Sequence, residues 1–127
     1  MQLARHMGAF VATTARSVNH GYVTGYLGAD LAIDYTKEDP AKAPGYYDAA
    51  LDAVGGQLCE AQCFAVLRPG GRAAFVVSGL SAPPAPRPDI LSLRPSVARS
   101  SKAMDRMSAL LREGAWRPPY TTLRSKI

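Results

Sequence analysis

The residues able to do chemistry fall in a few places. Cys59 and Cys63 stand four apart, one helical turn, a spacing that could serve a metal or a thiol redox pair. A metal site needs further ligands, and His6 and His20 are the two histidines on offer. A disulfide framework needs more cysteines and an oxidising setting. Both thiols therefore read as core groups on a helix. His6 falls on a helix tail and His20 at a helix start, where solvated or capping roles fit better than catalysis, so no catalytic residue is assigned. More informative are four polar segments that close apolar runs: residues 14–17, 34–36, 52–56 and 78–80. In a parallel α/β sheet, ligands bind at the carboxyl ends of the strands.

The elements that must position these segments follow from periodicity. Residues 10–14 are a short buried strand, 15–17 a polar turn, and Val18, Tyr22, Val23, Tyr26 and Leu27 recur at helical spacing. Gly21 and Gly25 lie inside that helix, each costing about 1 kcal/mol against alanine, so it must depend on packing. Gly28 suits the helix end, and residues 31–35 form the next strand. Strand–helix–strand at this length implies a right-handed crossover between parallel strands. Ahead of this unit, residues 1–8 read as the last two turns of a helix, with Leu3 and Met7 on one side. Residues 36–45 are a polar connector with turn signals at Asp39-Pro40 and Pro44-Gly45. Residues 47–53 are a third strand. A helix follows whose stripe is Leu58, Cys59, Gln62, Cys63, Val66 and Leu67. Residues 68–71 read as a tight turn, and 72–78 as a fourth strand, apolar enough to be buried on both faces.

Four prolines between 83 and 88 make residues 81–88 an extended surface linker. A short strand is expected at 90–93. The last helix runs over residues 99–113, with Met104, Met107, Leu110 and Leu111 as a core stripe and Gly114 as its stop. A proline-interrupted tail follows, with an edge strand expected around 120–123. The resulting fold class is α/β, a mostly parallel sheet with helices on both faces.

Apolar residues are 47% of the 127, enough for a core in a single domain. No apolar run approaches the roughly 18 residues of a membrane span, and nothing reads as a signal peptide; cytoplasmic residence is the default expectation. The formal charge is +5, with much of the excess late in the chain. Without a basic run interleaved with aromatics, this reads as a solvated arginine-rich face and not a nucleic-acid surface.

The stretches QLARHMGAFVATTA, LGADLAIDYTKED, YDAALDAVGG and LRPGGRAAFVVSG resemble the medium-chain dehydrogenase/reductase superfamily, most of all its zinc-free, quinone-oxidoreductase-like branch. The resemblance spans roughly residues 2–80 and continues weakly through MDRMSALLREGAWRPP. It implies a Rossmann-type domain binding NAD(H) or NADP(H), seen without the opening strand, the glycine-rich loop and the catalytic domain of the family. On this view residues 1–80 are a partial dinucleotide-binding domain, 81–98 a linker, and 99–127 the closing helix and tail. Without the opening strand, strands one and three must pair directly or leave a gap.

The resemblance also implies a site. The strand ending Thr14-Ala15-Arg16 carries no acid to bind a ribose 2′-OH, and an arginine there attracts a 2′-phosphate, so NADP(H) is expected over NAD(H). In the family, the 2′-phosphate contacts are a serine in this turn, a Lys or Arg at the next helix start, and a tyrosine ending the next strand. Tyr35 matches the tyrosine, Arg16 stands in the serine region, and Asn19 stands where a lysine is common. Asp52, Val54 and Gly55 match the loop beside the nicotinamide ribose, and Ser78 and Gly79 the strand end whose backbone meets the carboxamide. No zinc or other metal is expected. The substrate implied for a complete relative is a small quinone or enone, with no nucleic-acid or membrane partner; a homodimer is among the assemblies the resemblance allows. A catalytically silent relict or a methyltransferase remnant are the competing readings; LGADLAIDY argues against the latter. Very weak NADP(H) binding is expected of the chain alone, because the pyrophosphate grip of a glycine-rich loop is absent from it.

Overall fold

The computed structural model describes residues 1–42, 46–77, 79–96 and 99–119. The elements are α1 (Gln2–His6), β1 (Ala12–Thr14), β2 (Leu31–Ile33), β3 (Tyr47–Asp52), α2 (Gln57–Ala65), β4 (Leu67–Phe75), β5 (Leu91–Leu93) and α3 (Ser101–Arg112). The strands form two sheets, one of β1 and β2 and one ordered β3-β4-β5. Both ladders of the larger sheet are parallel. In the smaller, Leu31 N–H donates to Val11 C=O at 3.2 Å and Ala15 N–H to Ile33 C=O at 2.9 Å, advancing in the same sense along both strands. The architecture is Rossmann-like, as expected. Among the described residues β1 and β3 share no ladder, so they do not pair directly but sit in separate sheets.

The chain divides into two compact units. One contains Met1–Thr13, Asn19–Ala32 and the described residues from 99 onward. Within it Asp30 accepts from the Val11 N–H at 2.8 Å and pairs with Arg5. The Gln2 side chain brackets the backbone of Arg117, donating to its C=O at 3.0 Å and accepting from its N–H at 2.6 Å. Two expectations are corrected here. The helix expected over 18–27 is a 3₁₀ turn, Ser17–Asn19, followed by a π-helical turn, Tyr22–Tyr26. Gly21 and Gly25 weaken the α form, the Leu27 N–H reaches back five residues to Tyr22 C=O at 3.1 Å, and Tyr22 stacks on Tyr26. The methionine stripe of α3 is not core: Met104, Met107 and Leu111 are exposed, as are Leu3 and Met7 near α1. The short elements of this unit offer too little apolar surface to cover them. Ser100 caps α3, its Oγ accepting from Ala103 N–H at 3.2 Å.

The other unit contains Thr14–Val18 and Ile33–Val97. Its core is Phe64, Leu67, Ala73, Phe75 and Ile90, with Ala50, Cys63 and Ala85 packed against it. Leu67 and Phe75 are fully buried, and the Phe64 and Phe75 rings meet at 5.2 Å, tilted 52°. α2 thus grips the sheet through Phe64, which the expected stripe omitted, while Leu58 of that stripe is exposed. Gln62, the polar member of the stripe, donates to Asp39 at 3.1 Å. Asp39-Pro40 begins a 3₁₀ turn, Pro40–Lys42; the Pro44-Gly45 turn signal lies outside the described residues, as does the edge strand expected at 120–123.

Residues 68–71 are also corrected. They do not turn the chain from helix to strand; they bulge out of β4. Tyr47 pairs with Leu67 and Ala49 with Arg72, leaving four residues outside the ladder. A Cβ at Gly71 would lie 2.9 Å from the Arg68 carbonyl oxygen, so the bulge closes on a residue without a side chain. Asp89 accepts from the Gly70 N–H at 2.9 Å, which holds its carboxyl below the usual range. Arg87 donates to the carbonyls of Leu67 and Arg68 at 3.3 Å, and its Nε lies 3.2 Å from Asp89 without hydrogen-bond alignment. The proline-rich stretch therefore does more than link. Residues 81–90 carry no helix or strand, but they deliver buried Ile90 to the core and lead into β5, paired with β4. Val76 and Val77, expected inside a buried strand, are exposed beyond its end. No helix among the described residues is long and apolar enough to cross a membrane.

Candidate cofactor site

The corner where β1 and β2 end is organised by one carboxylate. Asp34 follows the last residue of β2 and is 4% exposed. Its Oδ2 accepts from the Ser17 N–H at 2.9 Å and from the Ser17 hydroxyl. Its Oδ1 accepts from the Thr36 N–H at 2.9 Å and the Thr36 hydroxyl at 2.6 Å, an Asx turn with a second bond added. The Ser17 hydroxyl above all, with Thr36 behind it, holds the Asp34 carboxyl far below the usual carboxylate range. The Asp34 carbonyl in turn accepts from the N–H groups of Lys37 and Glu38 at 2.9 and 3.0 Å. One side chain thus locks both strand exits.

On this frame Arg16 Nε donates to Tyr35 Oη at 3.2 Å. Tyr35 is half exposed, and Arg16 is exposed. Lys37 Nζ donates to Ser17 Oγ at 2.7 Å and lies 3.6 Å from Asp34 Oδ2. Arg16 and Tyr35, two of the residues singled out in the sequence, are brought together. Thr14 is exposed at the end of β1, and Asn19 is exposed at the end of the 3₁₀ turn. Lys37 is a functional candidate that sequence reasoning missed, and Ser17, inside the segment 14–17 singled out there, was given no role of its own. The available signal was Asp34 itself: an acid closing an apolar strand must find donors in the polar turns beside it.

The second candidate region follows β3. Asp52 is buried, and its Oδ1 accepts from the N–H groups of Val54 and Gly55 at 2.8 and 2.9 Å. Its Oδ2 is buried without a hydrogen-bond partner among the described residues. Gly55 has φ 85°, a conformation that favours glycine, and a Cβ there would crowd Val77 Cγ1 at 3.3 Å. Val54 is exposed at the tip. Asp52, Val54 and Gly55 are thus one structural unit. Gly79 is exposed in a bend, and Ser78 lies outside the described residues.

The cysteines do not make a metal or redox centre in their own right. Burial first, then the charge of Asp52 and the neighbouring Cys59, push the Cys63 thiol up to about 11, away from the thiolate that metal binding and exchange chemistry require. The described residues gather no group of three or more His, Cys, Asp or Glu side chains.

The residues present fit a phosphorylated ribose at the Asp34 corner. Arg16 bonds Tyr35, Lys37 bonds Ser17, and the Asp34 carboxylate is engaged by serine and threonine donors. An ionised acid that bonded a ribose 2′-OH would need unshared oxygens.

Residues 27–123 match the family model described as zinc-binding dehydrogenase. Over 84 residues the chain is 38% identical to the NADPH-dependent alkenal/one oxidoreductase, chloroplastic, of Arabidopsis thaliana, covering 65% of this chain and 21% of that protein. Over 86 residues it is 37% identical to the 2-methylene-furan-3-one reductase of Solanum lycopersicum, covering 66% of this chain and 21% of that protein. The chain thus spans about a fifth of the length of the curated relatives it matches. The structure of the quinone oxidoreductase from Coxiella burnetii is similar with a TM-score of 0.80 at 27% identity, over 91% of this chain and 37% of that one.

Proposed function

The chain belongs to the zinc-binding dehydrogenase family, in the quinone-oxidoreductase-like branch of the medium-chain dehydrogenase/reductase superfamily, and we propose that it forms the adenosine side of an NADP(H) site in a reductase of quinones or enones. The observation that carries this reading is the Arg16–Tyr35 pair beside a carboxylate already engaged by Ser17 and Thr36. A 2′-phosphate meets positive charge and donors at this corner; a bare 2′-OH finds no free carboxylate to accept from it. The substrate class follows the alkenal/one, furanone and quinone reductases to which the chain is similar.

When bound, the nicotinamide supplies the hydride chemistry. The chain's own residues bind and orient. Arg16 and Tyr35 would hold the ribose phosphate, and the turn of Asp52, Val54 and Gly55 would offer close backbone approach beside the nicotinamide ribose, with Gly79 on the strand exit assigned to the carboxamide. These 127 residues contain no glycine-rich strand-to-helix loop of the kind that grips a pyrophosphate. Weak binding of the dinucleotide by these 127 residues alone is the expected consequence.

Calorimetry of the purified chain with NADPH and NADH tests the reading. A weak preference for NADPH, with affinities poorer than micromolar, is expected. Equal binding of the two would refute the 2′-phosphate assignment, and micromolar NADPH affinity would refute the weak-binding argument.

A further inference from the structure

A direct transfer of the family pattern would make the serine in the β1 turn the phosphate donor. The hydrogen-bond directions at the Asp34 corner argue otherwise. The Ser17 hydroxyl gives its only proton to Asp34 Oδ2, and its oxygen receives one from Lys37 Nζ at 2.7 Å. The order is therefore Lys37 to Ser17 to Asp34, and Ser17 has no proton left for an anion. Thr36 Oγ1 is committed the same way, donating to Asp34 Oδ1 at 2.6 Å. At the helix start the family's cation is replaced by Asn19, which carries no charge.

The missing charge is restored from the other strand. Lys37 lies on the turn after β2, and its backbone N–H is tied to the Asp34 carbonyl at 2.9 Å. Its side chain is 70% exposed, and its ammonium lies 3.6 Å from the Asp34 carboxylate, a long ion pair. The Lys37 ammonium thus lies beside a carboxylate whose lone pairs are already engaged, and Arg16, one residue before Ser17, bonds Tyr35, one residue after Asp34.

Resting on the NADP(H) reading above, we propose that Lys37, not Ser17, is the partner of Arg16 in gripping the 2′-phosphate, and hence a determinant of NADP(H) over NAD(H). Ser17 and Asp34 act as positioning residues: they hold the ammonium over the strand ends. The ammonium keeps two further N–H donors for phosphate oxygens while one remains on Ser17.

The test uses the full chain labelled with ¹⁵N and titrated with 2′,5′-ADP and with 5′-AMP, two probes of the adenosine half alone. Amide shifts at Arg16, Ser17, Tyr35, Thr36 and Lys37 report binding even at millimolar affinity. Wild type is expected to prefer 2′,5′-ADP. Lys37→Gln removes one charge-assisted contact in a solvent-screened setting and should reduce that preference about tenfold. Lys37→Arg should keep most of the preference, and Ser17→Ala should keep it within about threefold, a margin for lost positioning on the low side of the charge-assisted contact. A Lys37→Gln chain that discriminates as well as wild type overturns the inference, and so does a Ser17→Ala loss as large as that of Lys37→Gln. A wild type that binds both probes equally overturns the NADP(H) reading itself and this inference with it, which separates the two failures.

Discussion

The sharpest test of the packing is to remove one ring. Phe75 is fully buried in a core of five buried residues, so few neighbours can collapse into the space left by Phe75→Ala. Truncations of this kind cost about 3–5 kcal/mol, and a core this small should place the loss in the upper half of that range. A chain of 127 residues has a total stability of very roughly 6–19 kcal/mol, so the variant should remain folded but much weakened. With a urea dependence of about 1–3 kcal/mol per molar, the midpoint should fall by roughly 1–5 M. Unfolding is best followed through hydrogen exchange of the β3 and β4 amides, which report this core directly. The Phe64–Phe75 contact, 5.2 Å between ring centres, adds a second readout. A double-mutant cycle through Phe64→Ala should show a coupling of about 0.5–1.5 kcal/mol. A Phe75→Ala loss below about 1 kcal/mol, or strict additivity with Phe64→Ala, would refute the account of α2 docking through Phe64.

Two further outcomes follow from the titrating groups. Asp34 has a folded-state pKa depressed by Ser17 and Thr36, so its stabilisation is complete above the unfolded-state value near 4 and is lost only as pH falls through the folded value. Amide signals of Ser17 and Thr36 should therefore hold their positions on acidification through pH 4 and 3 in wild type, and Asp34→Asn should shift them already at neutral pH; wild-type signals that titrate near pH 4 would contradict the network. Cys63, pushed up to about 11 from an ordinary 9.0, should alkylate about a hundredfold more slowly than an unhindered thiol at pH 7.5, read by mass spectrometry of iodoacetamide-treated chain; a rate equal to that of a model thiol would show that the helix does not bury it.

The strands were legible because their apolar runs end in polar turns. β1, β2, β3 and β5 lie where alternation and run length placed them, within a residue or two. Turn chemistry misled at residues 68–71, because Pro-Gly-Gly is equally good at reversing a chain and at leaving a ladder; only the cross-strand register separates the two. The helix at 18–27 was misjudged because two glycines and two stacked tyrosines favour a wider turn over the α form, a tertiary outcome that periodicity does not encode. The stripe of α2 held at Cys63 and Leu67 and erred by choosing Leu58 over Phe64, since the angle at which a helix meets its sheet is decided by the partner surface. At the candidate site, Arg16 and Tyr35 were legible from residue type and position. The roles of Ser17 and Lys37 were not, because each is fixed by a partner across the strands, Ser17 by Asp34 and Lys37 by Ser17. Long-range hydrogen bonding of this kind has no spacing to read.

The bulge at residues 68–71 has a consequence for how this sequence can change length. Parallel pairing resumes on either side of it, with Leu67 opposite Tyr47 and Arg72 opposite Ala49. Inside the ladder, one inserted residue would turn every later side chain of β4 to the opposite face and expel Ala73 and Phe75 from the core. Inside the bulge the same insertion only enlarges a loop whose ends stay fixed, at an entropic cost that grows slowly with length. The Arg87–Asp89 clamp bonds to backbone N–H and C=O groups alone, which every residue but proline supplies in full. The excursion is therefore the place where this domain can gain or lose residues while its core and strand ends keep their register.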